Sequence, residues 1–360
     1  MINYLDLKKV NSRYDSDIKA AIDSVLSRGW YLKGQAVEAF ENEFAKYTGR
    51  AFCVSCANGL DALTLMLRAY IETGQIAEGD EIIVPANTYI ATILSITANR
   101  LTPILVEPDI NTLQIDDSLI EQAITPRTRA ILIVNLYGRN AFTPRIAEIC
   151  RHHKLFLFED CAQSHGIPTK GNAQAHSFYP SKNLGALGDA GAFTTDDKQI
   201  ADIVRAMANY GSGRKYIFDY KGRNSRMDEI QAAVLSVKLK HLDEENRRRR
   251  EIARYYFSNI NNPLVTLPYH RSTEDNVFHI FPTFSTERDK LQAYLMEKDI
   301  QTDIHYPIPP HKQKCYSEWN NISLPITEEI HRCELSLPIA PYLSDKEVST
   351  IVNTINSWTH

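Results

Sequence analysis

The segment Lys154-Leu155-Phe156-Leu157-Phe158-Glu159-Asp160 is a nearly unbroken apolar run that ends in two acids. Such a run is typical of a parallel strand that is buried on both faces of a sheet. Similar short runs alternate with amphipathic segments through the first half of the chain, which predicts a mostly parallel sheet covered by helices. Because open α/β sheets bind ligands outside the carboxyl ends of their strands, we expect Asp160 at a ligand site.

The same patterns predict the remaining elements and the division of the chain. Seven strands are predicted, at residues 51–55, 81–84, 102–106, 130–135, 155–159, 175–178 and 191–194. Helices are predicted at residues 15–28, 35–47, 60–70, 89–99, 144–153 and 197–209, and a single long helix from 226 to about 257. After Asn261-Asn262-Pro263 the elements become shorter, which indicates a smaller α+β unit. We therefore expect a large domain at residues 1–250 and a small C-terminal domain at residues 251–360.

A lysine among small residues is the strongest candidate for chemistry. Lys182 lies in the run Ser-Phe-Tyr-Pro-Ser-Lys-Asn-Leu-Gly-Ala-Leu-Gly-Asp-Ala-Gly, residues 177–191, where the small residues let the backbone turn close to a ligand. A lysine amine attacks a carbonyl when its pKa is lowered, and a Schiff base with pyridoxal phosphate is a common use. Asp160 suits that cofactor, because a carboxylate facing the pyridine nitrogen keeps the ring protonated. Taken singly, Lys182 fits a solvated surface cation better, whereas Asp160 fits a helix cap or loop acid equally well.

A third motif predicts an anion site. Residues 51–65 combine a short apolar strand, the turn Asn58-Gly59 and an amphipathic helix. Free backbone N–H groups and the positive end of the helix dipole meet at such a turn, which is a ready phosphate site, although many strand-to-helix turns with Asn-Gly bind nothing. Ser177, upstream of Lys182, adds a hydroxyl donor for the same phosphate.

Composition excludes several other classes of protein. The 360 residues are 43% hydrophobic and carry a net charge of −4, which gives no basic footprint for nucleic acid. The sequence lacks an apolar run of about 18 residues and an apolar N-terminal signal, so we expect a cytoplasmic protein without a membrane partner. The six cysteines are irregularly spaced, and Cys53-x-x-Cys56 lies within a predicted strand and has no second ligand pair. We therefore predict neither a disulfide framework nor a metal site.

Taken together, the motifs resemble the DegT/DnrJ/EryC1 family of sugar-nucleotide aminotransferases, which are fold type I pyridoxal phosphate enzymes. The resemblance covers nearly the whole chain. Its most specific parts are residues 159–166, 177–191 and 222–233, with support from residues 85–92 and 304–311. It implies the fold of the PLP-dependent transferases, which is aspartate aminotransferase-like, with a seven-stranded sheet in the large domain. It also implies a homodimer with shared active sites and pyridoxal 5′-phosphate as cofactor, which becomes pyridoxamine 5′-phosphate in turnover.

The resemblance also implies roles for single residues. Lys182 and Asp160 would be the catalytic pair, in which Lys182 forms the Schiff base and carries the proton between substrate and cofactor. The other implied cofactor contacts are Gly59, Leu60 and Ser177 at the phosphate, Tyr89 stacked on the ring, Gln163 at the ring hydroxyl, and Asn224 at the phosphate of the neighbouring subunit. Without the resemblance, Tyr89 fits a core aromatic, Gln163 a loop-capping amide and Asn224 a helix cap or turn residue.

The implied substrates are a nucleotide-linked ketosugar and an amino-acid donor, for which we expect L-glutamate. Within the family, residues 304–311 are most similar to members that aminate C3 of a dTDP-3-keto-6-deoxyhexose. Candidate substrate residues are Lys33, His305, Tyr306 and His311. The alternatives are a C4 aminotransferase of an NDP-4-keto-6-deoxyhexose, a sugar dehydratase of the same family and a regulator that binds the cofactor without catalysis. Dehydratases of the family have histidine in place of Lys182, which argues against that alternative.

One segment departs from the family. Residues 162–176 are several residues shorter than the corresponding excursion in relatives. We therefore expect the mouth of the active site to be more open there.

Overall fold

A computed structural model of the protein describes residues 1–269 and 272–359. Its main sheet has seven strands in the order β1-β7-β6-β5-β4-β2-β3, and only β7 runs antiparallel to its neighbours. The strands are β1 (Phe52–Cys56), β2 (Glu81–Pro85), β3 (Thr102–Val106), β4 (Thr128–Val134), β5 (Phe156–Asp160), β6 (Ala173–Ser177) and β7 (Gly191–Thr195). The predicted mostly parallel sheet of seven strands is confirmed.

Helices cover both faces of this sheet. They are α1 (Leu7–Ser12), α2 (Asp15–Arg28), α3 (Gln35–Thr48), α4 (Gly59–Glu72), α5 (Ile90–Ala98), α6 (Pro144–His153), α7 (Lys198–Met207), α8 (Glu229–Leu239) and α9 (Leu242–Asn259). Side chains that alternate along β4 separate the two layers, because Leu132 packs in the core with α4, α5 and α7, whereas Ile133 packs in the core with α6. This alternation is the period-two pattern of a strand buried on both faces.

The single long helix predicted from residue 226 is wrong. The helix begins only at Glu229, because Asp228 is extended and forms an antiparallel bridge with Leu32. It ends at Leu239, and α9 starts after His241, whose ring stacks on Tyr14 at 4.2 Å. Both interruptions therefore come from contacts with the N-terminal part of the chain.

The C-terminal part forms its own small core. It contains the antiparallel strands β8 (Phe281–Phe284) and β9 (Glu334–Leu337) and the helices α10 (Arg288–Glu297), α11 (Pro325–Cys333) and α12 (Asp345–Asn356). Helix α9 belongs to two cores, since Leu242 packs with α3 and α8 whereas Ile252 and Tyr256 pack with β8, β9 and α12. The domain boundary at residue 250 stays a prediction. Within the described residues, no helix is both long and apolar enough to cross a membrane.

Candidate active site

A cavity of about 420 Å³ opens at the carboxyl ends of the parallel strands. Val134, Asp160 and Ser177 line it from the ends of β4, β5 and β6. It is the position at which open α/β sheets bind ligands. Nine predicted site residues line this cavity: Gly59, Leu60, Tyr89, Asp160, Gln163, Ser177, Lys182, His305 and Tyr306.

The buried acid Asp160 and the half-buried amine Lys182 both line this cavity. The Asp160 carboxylate accepts hydrogen bonds from the amide of Ala162 at 3.1 Å and from the hydroxyl of Thr92 at 2.8 Å. Burial raises the pKa of Asp160, although both hydrogen bonds and Lys182 oppose that shift. Burial also lowers the pKa of Lys182 to about 8, against the attraction of Asp160. Much of Lys182 is therefore a neutral nucleophilic amine at mildly alkaline pH.

The first turn of α4 provides the anion site. The side chain of Asn58 caps the helix by accepting the amide of Asp61 at 2.8 Å. The amides of Gly59 and Leu60 lie in the same turn, where backbone N–H groups have no acceptor within the helix. A Cβ atom on Gly59 would lie 2.5 Å from Cβ of Ser177, so only glycine lets the helix approach the end of β6 this closely. The two amides and the Ser177 hydroxyl fit a phosphate.

The backbone that carries Lys182 is held from behind by α8. A Cβ atom on Gly185 would lie 2.3 Å from the carbonyl oxygen of Pro180, so the turn after Lys182 requires glycine. Lys238, only 4% exposed, donates from its ammonium group to the carbonyl of Gly185. Gln231 accepts the amide of Leu187 at 2.8 Å. These contacts fix the loop and hence the position of the amine.

Gln163 connects the cofactor side of the cavity to its opposite wall. Its side-chain oxygen accepts the amide of Tyr137 at 2.6 Å, and its nitrogen donates to the hydroxyl of Tyr306 at 3.0 Å. The ring of Tyr306 lies 4.9 Å from that of Tyr89, between ring centroids. Tyr137 also donates its hydroxyl to the carbonyl of His305 at 2.6 Å. Gln163, which was predicted to face the cofactor, therefore also positions the opposite wall of the cavity, to which His305 and Tyr306 belong.

Among the cavity residues that were not predicted from the sequence, His279 has a titratable side chain. Its Nδ1 lies 3.1 Å from the side-chain oxygen of Asn183, whose nitrogen donates to Asn246 and to a backbone carbonyl. Because that amide already donates from its nitrogen, its oxygen accepts, and Nδ1 of His279 carries the hydrogen. Burial and the nearby Lys182 lower the pKa of His279, so the ring is neutral. The only signal in the sequence is a histidine inside the apolar run of residues 277–281.

Three predicted site residues lie outside the cavity. Lys33 lines a second cavity of about 410 Å³ together with Arg226. Asn224 is exposed, and its backbone bridges to that of Asn209. His311 has no exposed surface, and its Nε2 lies 3.0 Å from a carboxylate oxygen of Glu328. The roles assigned to these residues stay predictions.

The short segment 162–176 is supported by Glu159, the other acid near the end of β5. This fully buried carboxylate accepts the amides of Lys170 at 2.6 Å and Gly171 at 2.5 Å. The two acids therefore have separate tasks, since Asp160 lines the cavity and Glu159 holds the loop. The more open mouth stays a prediction.

The C-x-x-C pair is part of the core. Cys53 and Cys56 are buried free thiols of β1, and burial raises the pKa of both. Thiols with a raised pKa are poor nucleophiles and poor metal ligands.

The chain is similar to known proteins in both sequence and structure. The sequence pattern of the DegT/DnrJ/EryC1/StrS aminotransferase family matches residues 12–356. The dTDP-3-amino-3,6-dideoxy-alpha-D-galactopyranose transaminase of Aneurinibacillus thermoaerophilus is 51% identical over 99% of both chains. The crystal structure of S. venezuelae DesV in complex with a ketimine intermediate has a TM-score of 0.95 at 41% identity and covers 99% of this chain and 98% of its own. The structure of ntda from Bacillus subtilis with bound cofactor PMP has a TM-score of 0.91 at 31% identity, with coverage of 98% and 84%.

Proposed function

The chain belongs to the DegT/DnrJ/EryC1/StrS aminotransferase family, and on that premise we propose that it transfers an amino group from L-glutamate to C3 of a dTDP-linked 3-keto-6-deoxyhexose. Its cofactor is pyridoxal 5′-phosphate. The observation that carries the proposal is the amine of Lys182 in a cavity whose buried acid is Asp160. The relative from A. thermoaerophilus supports amination at C3, because its name gives a 3-amino-3,6-dideoxy sugar linked to dTDP.

The residues of the cavity fit this cofactor. When bound, pyridoxal phosphate supplies a carbonyl group that takes up the amino group and a ring that stabilises negative charge at the substrate carbon. Lys182 would hold it covalently, and the carboxylate of Asp160 would keep its ring nitrogen protonated. The amides of Gly59 and Leu60 and the hydroxyl of Ser177 would bind its phosphate. Tyr89 would cover the ring face, and Gln163 would meet the ring hydroxyl.

Lys182 would also move the proton during transfer. Its amine would take a proton from the substrate carbon that carries the nitrogen and return it to the cofactor carbon bonded to the same nitrogen. A general base works best when its pKa lies near the working pH, and burial brings the pKa of Lys182 to about 8.

His305 and Tyr306 form the wall for the sugar in this proposal. The hydroxyl of Tyr306 is held by the amide of Gln163, the backbone of His305 by the hydroxyl of Tyr137 and the ring of His305 by Ser336, so both side chains are positioned before a substrate binds. Lys33 would meet a substrate phosphate from its separate cavity. The cytoplasmic location expected from the sequence remains part of the proposal.

The proposal includes a homodimer in which Asn224 reaches the phosphate of the partner's cofactor. Several aromatic side chains support such an interface because they are half or more exposed on a single chain. These are Trp30, Tyr31, Tyr216 and Phe218. Exposed apolar groups of this kind mark association surfaces.

Visible spectra with a panel of substrates test the proposal. The wild type with added pyridoxal phosphate is expected to show the absorbance of the lysine-bound cofactor, and Lys182→Ala to lack it. Lys240→Ala is the matched control, since Lys240 is exposed and outside the cavity. Glutamate should bleach the band, and dTDP-3-keto-6-deoxyhexoses should restore it with an amino group at C3 of the product.

A negative result at each step of this experiment refutes a different part of the proposed function. A wild type without the band refutes the cofactor site at Lys182. A band that glutamate leaves unchanged refutes the donor. A product aminated at C4 refutes the position, and a bleached band that no ketosugar restores refutes the acceptor.

A further inference from the structure

A buried acid lies behind the predicted sugar wall. Glu334, the first residue of β9, has no exposed surface. Its carboxylate accepts the backbone amide of His305 at 2.6 Å through one oxygen and contacts the hydroxyl of Ser336 through the other. The same hydroxyl lies 2.9 Å from Nδ1 of the His305 ring. A continuous chain of hydrogen bonds therefore runs from a buried carboxyl group to a ring that lines the cavity.

The protons in this chain can be arranged in two ways. When Glu334 is ionised, Ser336 donates to the carboxylate, so its oxygen accepts and Nδ1 of His305 carries the ring hydrogen. When Glu334 is protonated, its hydroxyl donates to Ser336, Ser336 donates to Nδ1, and the ring hydrogen is on Nε2. The two arrangements differ by one proton, which enters at Nε2 and is stored on Glu334.

We propose that Glu334, acting through Ser336, determines which ring nitrogen of His305 carries the hydrogen, and thereby whether the wall offers a donor or an acceptor at Nε2. Nδ1 is occupied by Ser336, so Nε2 is the ring nitrogen that remains for a substrate. Glu334 and Ser336 are positioning residues, since they act through His305. The consequence for sugar binding rests on the proposed function.

The ring of His305 is neutral near neutral pH, and the carboxyl group of Glu334 titrates at a mildly alkaline pH. Burial lowers the pKa of His305 to about 4, so near neutral pH the ring has one hydrogen to place. Burial raises the pKa of Glu334 to about 8, against the hydrogen bonds from Ser336 and His305. Below that pH the protonated acid puts the ring hydrogen on Nε2, and above it the ionised acid draws the hydrogen to Nδ1.

Asp303 acts on both ends of this chain of hydrogen bonds, because its charge raises the pKa of Glu334 as well as that of His305. Asp303 lies 3.8 Å from Nε2 of His305 and favours a hydrogen there, whereas Arg288 favours the ionised form of Glu334. The titratable groups around this chain of hydrogen bonds are Tyr4, Tyr137, Lys182, His279, Arg288, Asp303 and Tyr306. Burial raises the pKa of each of the three tyrosines, so they stay neutral in this range.

The variant Glu334→Gln distinguishes control of the His305 ring hydrogen, which we call the relay, from a purely structural role of Glu334 as acceptor of the His305 amide. The amide of His305 still requires an acceptor, so the glutamine oxygen faces it and the glutamine NH₂ group faces Ser336. With the Tyr4 hydroxyl donating to Ser336 as well, Ser336 is expected to donate to Nδ1, which keeps the ring hydrogen on Nε2 at every pH. The variant therefore imitates the protonated acid and preserves the hydrogen bond to the backbone.

Nitrogen NMR of the holoenzyme labelled with ¹⁵N-histidine tests the relay directly. His305 is assigned by comparison with His305→Gln. In the wild type the hydrogen is expected on Nε2 at about pH 6.5 and on Nδ1 at about pH 9.5, on either side of the pKa of about 8. Glu334→Gln should keep it on Nε2 throughout, Ser336→Ala should abolish the pH dependence, and Asp303→Asn should retain it. A wild-type ring that keeps one tautomer, or a Glu334→Gln ring that changes as the wild type does, overturns the relay.

Steady-state kinetics test the consequence for the sugar separately. From pH 7 to pH 9 the KM for the dTDP-ketosugar is expected to rise about threefold to tenfold more in the wild type than in Glu334→Gln, because the sugar oxygens lose one donor. Equal KM profiles beside a normal NMR transition would overturn the assignment of His305 to the sugar wall, while the relay would stand.

Discussion

At the scale of single residues, the environment of Lys182 predicts its reactivity. Burial lowers the pKa of its amine to about 8, so the neutral fraction rises as the pH rises through that value. In the cofactor-free enzyme, competitive acetylation followed by mass spectrometry should give a midpoint near pH 8 for Lys182. A lysine model peptide, with a pKa of about 10.4, is the reference. Asp160→Asn should move the midpoint below 8, because the Asp160 charge raises the pKa of Lys182. A midpoint near that of the peptide would contradict the burial of the amine.

Single residues of the site could be predicted from the sequence only where they belong to a local pattern. The place of Asp160 and Lys182 in the cavity was predictable because an acid at the end of a buried strand and a lysine among glycines leave local patterns. His279 left almost none, since its place in the cavity depends on an amide of Asn183 that is distant in sequence. Glu334 likewise lies beside His305 because the backbones of Asp303 and Ser336 pair, and no motif in the sequence indicates this contact.

At the scale of elements, Glu229 joins α8 to α3. Its fully buried carboxylate accepts the amides of Gly34 at 2.7 Å, Ala36 at 2.9 Å and Val37 at 3.0 Å, at a helix start that has no side-chain cap of its own. Glu229→Gln replaces a charged acceptor with an amide that cannot serve all three donors. We expect it to lower the free energy of unfolding by about 2 kcal/mol. Urea unfolding measures this change.

A matched substitution on the same helix is the control. Glu43 is an exposed residue of α3, and Glu43→Gln should change the unfolding free energy by less than about 0.5 kcal/mol. Equal effects of the two substitutions would mean that the carboxylate of Glu229 does not hold α3.

Elements were predictable where their cause is local, and not elsewhere. The strand of residues 155–159 was expected from its apolar run and lies one residue further on, at Phe156–Asp160. The break between α8 and α9 was not expected, because helical periodicity continues across it. It depends on His241 meeting Tyr14, and the late start of α8 depends on Asp228 pairing with Leu32. The periodicity of apolar residues along a helix cannot indicate such contacts, because they involve residues that are distant in sequence.

At the scale of the whole molecule, the open question concerns the subunits that make up one active site. In a single chain Asn224 is exposed and does not line the cavity, whereas Lys182 does. If Asn224 reaches the partner's phosphate, each site combines Lys182 of one subunit with Asn224 of the other. Lys182→Ala and Asn224→Asp are each expected to reduce activity strongly, the first by removing the amine and the second by placing a negative charge beside a phosphate.

Mixing these two variants then restores activity. A mixed dimer contains one site with neither substitution, so subunits that are separated and reassociated at random should recover about one quarter of wild-type activity, since about half of the dimers are mixed and each has one intact site. The control mixes Lys182→Ala with the double variant Lys182→Ala/Asn224→Asp, which offers no intact site in any pairing and should stay inactive. Differently tagged subunits establish that mixed dimers form. Mixed dimers that remain as inactive as their parents would place Asn224 in the site of its own subunit, because each site would then contain one substitution. The site of the Lys182→Ala subunit would lack the amine, and the site of the Asn224→Asp subunit would contain the added negative charge.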